Sequence, residues 1–593
     1  MKHIDSSPPE EDQNDPSASL GQADEDYMND IICYTLFMDQ FKLRFIPLGG
    51  IVDVTKNMYV YELYKNGEIE DIIIVDCGIG FPREKDLGVD FIIPDISYLK
   101  DKVHKIRAIL LTHGHEDHIS ALRFHYEALG SPPVYASKLT SLLVEEKFKE
   151  YEKRIKVNQI AFRQNYSFGN MTARFIHMTH SIPDATHIYI KSPIGNFYHG
   201  PDFKLDLTPP YGEPPDFYEI TKAGEEGVDC LLSDCLGVAR EGFTLSENIV
   251  GKAFEDEIRT TKGKFIMTTV SSNISRIRQC AEAAVKYNRS IVFMGRSMKG
   301  NSDIAREIGY FPIHERFLVD ERKASRMRPS SLCIIAAGSQ GQYDSALSKI
   351  ANDKNKFIKI EAGDKVFFSA DPIPGQEEEV NELVERLYGC GAEVVYSGIA
   401  EGLHASGHGN EEDLKLLARL TKPKHLIPIG GTVLHQRIYG DMAKKLGYRS
   451  EMIHLLKEGE TYVFERGSSH AGDRIETRNI FVDAYGVGDV GNVILRDRKM
   501  LSTDGIAVAV LVMDATFKLV GKPEFISHGF IFKNDEAAIF GGAQEVVERV
   551  LKPKKDHPFN DTIVRAETTR NLEQYFLTKT GRKPLVSVEI ISV

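Results

Sequence analysis

The pattern of hydrophobic and polar positions divides the chain at about residue 40. Residues 1–40 are rich in acidic and small residues, above all over their first thirty positions, and this composition predicts disorder for the segment. From Lys42 onward, short apolar runs are punctuated by glycine, which predicts strands separated by turns. Residues 72–75 form a predicted buried strand that ends in an Asp-x-Gly sequence, and residues 108–111 form another. Strands and helices then alternate to about residue 225, which predicts an α/β fold.

The densest group of chemically capable side chains follows the second of these buried strands. It reads His-x-His-x-Asp-His and supplies His113, His115, Asp117 and His118. Neutral imidazole and carboxylate are ligands that zinc accepts at about 2.0–2.2 Å. A histidine-rich surface loop without a metal is the alternative interpretation. Four ligand-type side chains within six positions, directly after a buried strand, favour a site in which His113 and His115 hold one metal and Asp117 and His118 hold a second.

Three further candidates each follow a strand-like run. Taken alone, His180 is more typical of a capping or turn residue, but it lies where a loop ligand is expected. Asp202 is the natural carboxylate to bridge two metal ions. Asp76 is either a hydrogen-bond acceptor at the end of its strand or a carboxylate that orients a metal-bound histidine. We prefer the second role because the metal motif follows within one supersecondary unit.

Length and charge limit the classes of protein that remain. The 593 residues are enough for about three or four domains. The net charge of −13 argues at first against a nucleic-acid partner. Residues 1–30, however, hold nine Asp or Glu and one Lys, so −8 of the −13 lies in this segment and about −5 remains for the rest of the chain. One basic groove is compatible with that remainder.

Cysteine usage and apolar run lengths predict the cellular compartment. The seven cysteines are scattered and form no Cys-x-x-Cys pair, which is typical of a reducing cytoplasm and argues against a thiolate zinc site. No apolar run approaches the roughly 18–20 residues of a membrane span. The N-terminus is acidic and polar, so it does not have the pattern of a signal peptide. We therefore expect a cytoplasmic protein without a membrane partner.

The order of these motifs resembles that of the metallo-β-lactamase superfamily. Residues 76–82, 93–98, 180–184 and 202–206 narrow the resemblance to the bacterial ribonuclease J family, and the resemblance extends from about residue 42 to the C-terminus. It implies an α/β fold, with an αββα metallo-β-lactamase sandwich, an inserted β-CASP domain and a C-terminal α+β domain. The implied boundaries are a disordered acidic tail at 1–40, the first part of the metallo-β-lactamase domain at 41–225, the β-CASP domain at 226–402, the second part of the metallo-β-lactamase domain at 403–469 and the C-terminal domain at 470–593.

The resemblance also implies a set of functional residues. Two zinc ions would be held by His113, His115, Asp117, His118, His180 and Asp202. The implied catalytic residues are Asp117, Asp76 and His404, and His404 would protonate the leaving 3′ oxygen. RNA or phosphate contacts would come from Asp234, Ser339, His404, Ser406, Gly407 and His408.

The function implied by the resemblance is a zinc-dependent ribonuclease of RNA processing. It would be a 5′→3′ exoribonuclease with endonuclease activity, acting in rRNA processing and mRNA decay. Its preferred substrate would be single-stranded RNA with a 5′ monophosphate. The C-terminal domain would help the chain to form a homodimer or a higher oligomer, with itself or with a paralogue.

One departure from the family pattern falls on a metal ligand. The family usually has a final ligand histidine in a Pro-x-His-Gly-Glu sequence, and this chain has Gly430 at that position. Glycine offers no side-chain ligand, so the second zinc is expected to be weak or absent. Water, or His435 five residues further on, can fill the gap. Cys235 and Gln342 also replace residues that are usual in the family.

Two other functions compete with the ribonuclease. The first is a catalytically weakened, RNA-binding partner subunit of a ribonuclease J complex. Gly430 favours it, whereas the intact His-x-His-x-Asp-His motif opposes it, because an abandoned site is expected to lose that motif as well. The second is a small-molecule hydrolase of lactamase or glyoxalase type, which the inserted domain and its glycine-rich, phosphate-cradling turns oppose.

Overall fold

A computed structural model describes residues 39–82, 86–373, 376–396, 403–483, 486–487, 492–516, 518–552 and 560–593. Almost all of the acidic tail predicted for residues 1–40 lies outside the described residues. In the part that is described, strands and helices alternate along most of the chain.

The strands, numbered in chain order, are β1 (Phe41–Gly49), β2 (Met58–Lys65), β3 (Glu68–Val75), β4 (Phe91–Ile93), β5 (Ile106–Leu110), β6 (Val134–Ala136), β7 (Val157–Gln159), β8 (Asn165–Phe168), β9 (Met171–His177), β10 (Thr186–Ser192), β11 (Gly195–Gly200), β12 (Cys230–Asp234), β13 (Phe265–Thr268), β14 (Ser290–Met294), β15 (Leu332–Ala336), β16 (Lys365–Phe368), β17 (Glu393–Val395), β18 (His425–Ile429), β19 (Tyr462–Glu465), β20 (Ser468–Ala471), β21 (Ile480–Asp483), β22 (Gly486–Val487), β23 (Ile506–Met513), β24 (Glu524–His528) and β25 (Leu585–Ser592). The α-helices span Glu116–Ile119, Leu122–His125, Lys138–Lys149, Phe217–Glu226, Asn248–Thr260, Ile274–Lys286, Arg296–Glu307, Glu321–Ala324, Ala346–Ala351, Glu377–Gly389, Glu411–Thr421, Val433–Lys445, Asn492–Asp504, Glu536–Val550 and Asp561–Thr580.

Two sheets face each other across a buried apolar layer to which strands of both contribute. The first has the order β20-β19-β1-β2-β3-β5-β6-β7 and the second the order β18-β12-β11-β10-β9-β8. Phe45 and Tyr61 of the first sheet pack in one buried cluster with Phe175, Ile190 and Ile427 of the second. Alternate positions along a strand point to opposite faces, so each sheet has a second apolar face that needs a cover.

Helices cover the outer faces of both sheets. On the first sheet, the helix Lys138–Lys149 buries Leu139, Leu143 and Val144, which recur at helical spacing. On the second sheet, the helices Phe217–Glu226, Glu411–Thr421 and Val433–Lys445 contribute to a separate buried cluster. The layers therefore run helix, sheet, sheet, helix, and the predicted αββα sandwich is confirmed.

A five-stranded sheet interrupts the sandwich in sequence. Its order is β14-β15-β13-β16-β17, and every pairing in it is parallel. One of its faces has an apolar cluster of its own. Strand β12, however, belongs to the second sheet of the sandwich, where it pairs with β11 and β18. The first part of the sandwich thus extends to Asp234, beyond the boundary predicted at residue 225, because β12 is too short an apolar run to be recognised as a strand of that sheet.

The C-terminal part of the chain forms a smaller α+β unit. Strands β24, β23 and β25 make a three-stranded sheet, and the helices Glu536–Val550 and Asp561–Thr580 pack on one face of it. Strand β21 joins this region to the sandwich by pairing with β4. Within the described ranges, no helix combines the length and the apolar character needed to cross a membrane.

Candidate metal centre

The candidate functional residues lie where strands of both sheets end. Strands β3 and β5 are parallel neighbours in the first sheet. In the second sheet β9 and β11 are both antiparallel to β10, and β12 and β18 are parallel to β11. Loops that leave carboxyl ends at the same edge of a sheet bring their side chains together. The ends of these strands, and the loops and the short helix that follow them, carry the residues Asp76, His113, His115, Asp117, His118, His180, Asp202 and Asp234.

A first group of side chains surrounds one point between the two sheets. His113 Nε2 and His180 Nε2 each lie 3.1 Å from His115 Nδ1. Asp202 Oδ2 lies 3.9 Å from His113 Nε2 and 3.8 Å from His180 Nε2. Nitrogens bound at about 2.0–2.1 Å to one tetrahedral ion are separated by about 3.3 Å. The four side chains therefore have the spacing of a ligand set, as predicted for the first metal.

The other ring nitrogens of this group have partners of their own. His180 Nδ1–H donates to the carbonyl of Gly407 at 2.7 Å. Thr112 Oγ1 gives its proton to Asp76, so it accepts the Nδ1–H of His113 at 3.1 Å. Ser181 Oγ lies 3.3 Å from His115 Nε2. Each imidazole is thereby turned so that one basic nitrogen faces the shared point, which is the arrangement of metal-bound histidines.

A second group shares Asp202 with the first. His118 Nε2 lies 3.4 Å from Asp202 Oδ2 and 3.8 Å from Asp117 Oδ2. These three residues form a second possible ligand set, and Asp202 takes part in both. The structure thus brings together all six metal ligands that the sequence predicts, with Asp202 in the bridging place.

Asp76 connects the two groups through hydrogen bonds, because it accepts from His118 of the second group and from Thr112, which contacts His113 of the first. Its carboxylate is fully buried and accepts 2.8 Å hydrogen bonds from the Thr112 amide, the Thr112 hydroxyl and His118 Nδ1. Gly78, two residues further on, lies against the backbone of Asp117, where a Cβ atom would come within 1.6 Å of the Asp117 carbonyl oxygen. The Asp-x-Gly sequence therefore supplies an orienting carboxylate and the close approach that seats the metal-binding loop.

The charges of the cluster follow from burial and from neighbouring carboxylates. Burial lowers the pKa of His113 and His180 well below the usual value, and the adjacent imidazoles lower it further. Burial also lowers the pKa of His115 to about 3. These three imidazoles are therefore neutral at physiological pH, which is the form that binds a metal.

In the second group, neighbouring charges as well as burial change the pKa values. Burial lowers the pKa of His118, but the carboxylates of Asp202, Asp117 and Asp76 outweigh that effect and raise the pKa well above its usual value. Burial raises the pKa of Asp117 to about 6. Burial acts in the same direction on Asp202, yet the surrounding imidazoles, His118 first, hold its pKa well below the usual range. Buried negative charge that attracts protons to a histidine is also suited to a divalent cation.

The donor set fits a divalent metal of the zinc type. It consists of imidazole nitrogens and carboxylate oxygens in two groups that share one carboxylate, and no thiolate belongs to the groups found among the described residues. Zinc accepts this combination, and so do other first-row divalent ions.

His408 and Asp234 form a third group together with Asp202. The sequence itself predicts only phosphate binding for His408 and Asp234. His408 Nδ1–H donates to Asp234 Oδ2 at 2.8 Å, and His408 Nε2 lies 3.8 Å from Asp202 Oδ2. Burial lowers the pKa of His408, but Asp234 and Asp202 outweigh it and raise the pKa to about 9. One feature of the sequence could have indicated this group: Asp234, like Asp76, is an aspartate at the end of a buried strand.

His404 lies apart from the metal groups. Its Nδ1 accepts a 2.7 Å hydrogen bond from the Arg276 guanidinium, and its Nε2 lies 3.5 Å from Asp371 Oδ2. Burial, together with the positive charge of Arg276, lowers the pKa of His404 well below its usual value. A neutral imidazole that accepts from arginine is poorly suited to protonate a leaving oxygen, the role expected for His404 from the sequence.

The other residues predicted to bind phosphate, Ser406, Gly407 and Ser339, contact neighbouring parts of the protein. The Ser406 hydroxyl accepts the His408 amide at 3.1 Å. Gly407 presents its carbonyl to His180, and a Cβ atom at Gly407 would lie 2.8 Å from the His180 ring. Ser339 is buried in the loop after β15, whose next residue, Gln340, is hydrogen-bonded to the 371–373 segment beside His404. Ser406 and Gly407 thus contact histidines of the candidate metal centre, namely His408 and His180. Ser339 instead lies next to Gln340, whose contacts lead to the segment beside His404.

Position 430 lies at the edge of the cluster. A Cβ atom at Gly430 would be 3.6 Å from Asp202 Oδ1 and 3.7 Å from Asp234 Oδ1. His435, the residue that the sequence offered as a replacement ligand, instead caps its own helix, with Nδ1 3.1 Å from Thr432 Oγ1 and 3.3 Å from the Thr432 amide.

Comparisons with known families agree with this order of domains. The model described as "Metallo-beta-lactamase superfamily" matches residues 52–216. The model "Ribonuclease J, beta-CASP domain" matches residues 262–387, and "Ribonuclease J C-terminal domain" matches residues 493–593. A solved structure titled as a protein of unknown function from Enterococcus faecalis V583 is 15% identical, covers 72% of this chain and 100% of its own, and has a TM-score of 0.50. That likeness concerns the fold alone.

Relatives of known name cover nearly the whole chain. Ribonuclease J2 of Bacillus subtilis (strain 168) is 35% identical over 555 residues, which are 93% of this chain and 99% of the relative. Ribonuclease J 1 of Streptococcus pyogenes serotype M3 is 34% identical over 91% of this chain and 96% of its own length. Such identity over such coverage, together with two family models specific to ribonuclease J, means that the chain belongs to the ribonuclease J family.

Proposed function

We propose that the protein is a metal-dependent ribonuclease that hydrolyses RNA phosphodiester bonds. The observation that carries the proposal is the cluster of His113, His115, His180, His118, Asp117 and Asp202, which has the spacing of two ligand sets with one shared carboxylate. Membership of the ribonuclease J family supports RNA as the substrate. When two divalent ions are bound, they would lower the pKa of a water to about 7 and offset charge on the phosphate oxygens.

The protein's own residues would position the reacting groups. Asp76 and Thr112 hold His118 and His113 in fixed tautomers, so the ligand nitrogens need no reorganisation when substrate arrives. Asp117 would serve as a carboxylate ligand of the second set, together with His118 and Asp202. His404 is not assigned to proton transfer, because Arg276 and Asp371 hold it on the side of the inserted domain.

The inserted domain would form one wall of the RNA site. Tyr310 of that domain donates to Asp184 at 2.8 Å, in the loop that carries His180. Arg276 of the same domain donates to the carbonyl of Ala405, in the segment that carries His408. Arg240 is more than half exposed and lies 3.7 Å from Asp371, so a cationic side chain is available to a phosphate beside His404. The RNA strand would therefore pass between the inserted domain and the metal centre.

The proposal also covers the mode of cleavage, the number of metal ions and the assembly of the chain. We expect 5′→3′ exonucleolytic cleavage with some endonucleolytic cutting, on single strands with a 5′ monophosphate. We also expect two zinc ions, the second weaker because of Gly430, and a homodimer or a larger assembly in the cytoplasm. These expectations rest on the family resemblance and on the ligand sets described above.

The test is cleavage of a labelled, 5′-monophosphorylated RNA by the purified full chain, before and after removal of metal with a chelator. Cleavage that returns when zinc or manganese is restored, and that His115→Ala abolishes, is the expected result. The matched control is His435→Ala, a helix-capping histidine outside the ligand sets. RNA binding without cleavage by any metal-loaded form would instead identify the chain as a non-catalytic RNA-binding subunit.

A further inference from the structure

The loop between β1 and β2 lies against the second ligand group. Its last residue, Asn57, is 1% exposed, and its backbone amide donates to the carbonyl of Asp117 at 3.0 Å. The Asn57 carbonyl accepts the amide of Gly78 at 2.9 Å. Asn57 therefore ties the β1–β2 loop both to the Asp-x-Gly sequence that begins at Asp76 and to the metal-binding loop that carries His118.

The side chain of Asn57 reaches the same part of the metal-binding loop. Its Nδ2 donates to the Asp117 carbonyl at 3.2 Å and lies 3.0 Å from His118 Nε2. One carbonyl thus receives two hydrogen bonds from one residue, and this carbonyl belongs to the peptide that joins Asp117 to His118. Because Nδ2 has the Asp117 carbonyl as a partner, it does not depend on His118 Nε2, the atom that would bind a metal.

Tyr59 fixes which way the Asn57 amide faces. The Tyr59 hydroxyl is buried, 2.8 Å from Asn57 Oδ1 and 3.0 Å from the carbonyl of Gly50. It has one proton, and the Gly50 carbonyl already accepts the amide of Gly430 at 2.8 Å, so we assign the proton to Asn57 Oδ1. The amide oxygen then faces Tyr59 and the amide nitrogen faces Asp117.

The first ligand group is oriented by other residues, Thr112 and Gly407. The second group has three members where the first has four. It gains no ligand from the end of β18, because Gly430 has no side chain. Its binding of a metal therefore depends on how firmly Asp117 and His118 are held.

We propose that Asn57 is a positioning residue for the metal of the second group, acting through the peptide between Asp117 and His118. Two donors on one carbonyl hold this peptide, so the Asp117 carboxylate and His118 Nε2 stay directed to one point whether or not a metal is bound. Tyr59 acts one step further out, because its hydroxyl keeps the Asn57 nitrogen on the side of Asp117. The inference rests on the proposed nuclease only in requiring the same metal centre.

The test is zinc titration of the metal-free full chain against a chromophoric chelator. For the wild type we expect two zinc ions per chain, and a wild type with a single zinc would overturn the proposal, since no second metal would need positioning. For Asn57→Ala we expect the weaker affinity to fall about 10- to 100-fold and the stronger to be unchanged. Tyr59→Phe keeps the ring in the core and should cause a smaller loss at the same site. The double variant should match Asn57→Ala alone, because Tyr59 acts through Asn57.

Asn196→Ala is the matched control. The Asn196 side chain donates to the carbonyls of Glu226 at 3.2 Å and Gly227 at 2.9 Å, near the start of β11, whereas Asp202 follows the end of that strand. This variant should lower stability and leave both zinc affinities unchanged. The proposal would be wrong if Asn57→Ala weakened both zinc ions equally or neither of them. It would also be wrong if Asn57→Ala strengthened the second zinc, since the amide would then only obstruct the ligand nitrogen.

The two proposals can fail separately. A wild type that binds two zinc ions and cleaves no RNA would overturn the proposed nuclease, yet the dependence of the second zinc on Asn57 would still stand. A wild type that cleaves RNA, and whose second zinc is held equally well in Asn57→Ala, would overturn only the positioning role.

Discussion

Asp76 orients a histidine in each of the two candidate ligand groups. It accepts a hydrogen bond from His118 directly, and another from Thr112, which in turn orients His113. Replacing Asp76 by asparagine removes a charge and puts a hydrogen-bond-donating NH2 group in place of one of the two accepting oxygens, so at least one histidine loses its orientation. We expect Asp76→Asn to weaken zinc binding about 10- to 100-fold. Titration against a chelator measures this.

Asp71 provides the matched control for that variant. Asp71 lies in β3, the strand that Asp76 follows, is equally buried, and bonds to Arg107 and Asn170 away from the metal centre. Asp71→Asn should lower stability without changing zinc affinity. Equal zinc affinities in Asp76→Asn and the wild type would contradict an orienting role for Asp76.

His408 makes the stability of the metal-free protein depend on pH. Its folded pKa is raised from 6.5 to about 9 by Asp234 and Asp202 against the opposing effect of burial. A raised pKa stabilises the folded state fully below pH 6.5, and the stabilisation is lost as pH rises through 9. In the presence of chelator, His408→Gln should lower unfolding stability by up to about 3 kcal/mol at pH 6 and by little at pH 10.

Thermal unfolding at a series of pH values measures that difference. His435→Gln is the comparison, because His435 caps a helix and burial lowers its pKa rather than raising it. A destabilisation by His408→Gln that is the same at pH 6 and pH 10 would mean that the folded protein does not hold this imidazole as a cation.

The residues of the metal centre differ in how far the sequence could reveal them. His113, His115, Asp117 and His118 share one loop, so a local pattern was sufficient. The choice between His404 and His408 was beyond such a pattern. Both lie in a segment without helix or strand, and which of them faces Asp202 is decided by Asp234, 174 residues away in the chain. A contact over that separation depends on the tertiary fold, which a local sequence pattern does not contain.

At the scale of elements, one helix of the inserted domain anchors the segment that re-enters the sandwich. Arg276, in the helix Ile274–Lys286, is 1% exposed and makes two 2.8 Å hydrogen bonds to Glu247. It also donates to the carbonyls of Ser369 and Ala405 and to His404. The sequence suggested no such role, because an arginine on a helix is by default solvated. Its burial depends on Glu247, which another helix brings near.

Removing one partner of this buried ion pair should be costly. Arg276→Met leaves Glu247 buried, with Lys204 at 3.5 Å as its remaining ion-pair partner among the described residues, so we expect a loss of about 3–5 kcal/mol in unfolding free energy. Hydrogen exchange of residues 403–408 should also become faster, since two of their contacts are lost. Arg259→Gln, at an exposed i,i+3 pair with Asp256, should stay within about 0.5 kcal/mol of the wild type. Unchanged exchange in residues 403–408 would contradict the anchoring role.

At the scale of the whole molecule, the metal ligands are confined to part of the chain. They lie between the two sheets of the sandwich, whereas the C-terminal unit has a separate apolar core that includes Leu511, Phe530 and Phe576. The resemblance of the C-terminal segment to the small terminal domain of ribonuclease J implied a separate domain there, and a family model for that domain matches residues 493–593. The division has a thermodynamic consequence, since a ligand stabilises only the cooperative unit that binds it.

Calorimetry of the full chain with and without chelator tests that consequence. Zinc at a hundredfold excess over its dissociation constant stabilises its unit by about 2.7 kcal/mol, which corresponds to about 5–10 °C in the unfolding midpoint of a unit of 150–250 residues. We expect chelation to lower the midpoint of the transition of the sandwich by this amount and to leave the transition of the C-terminal unit in place. In His115→Ala the shift should shrink, because the first ligand set is incomplete. Equal shifts of every transition would mean that the C-terminal unit unfolds together with the metal centre, despite its separate core.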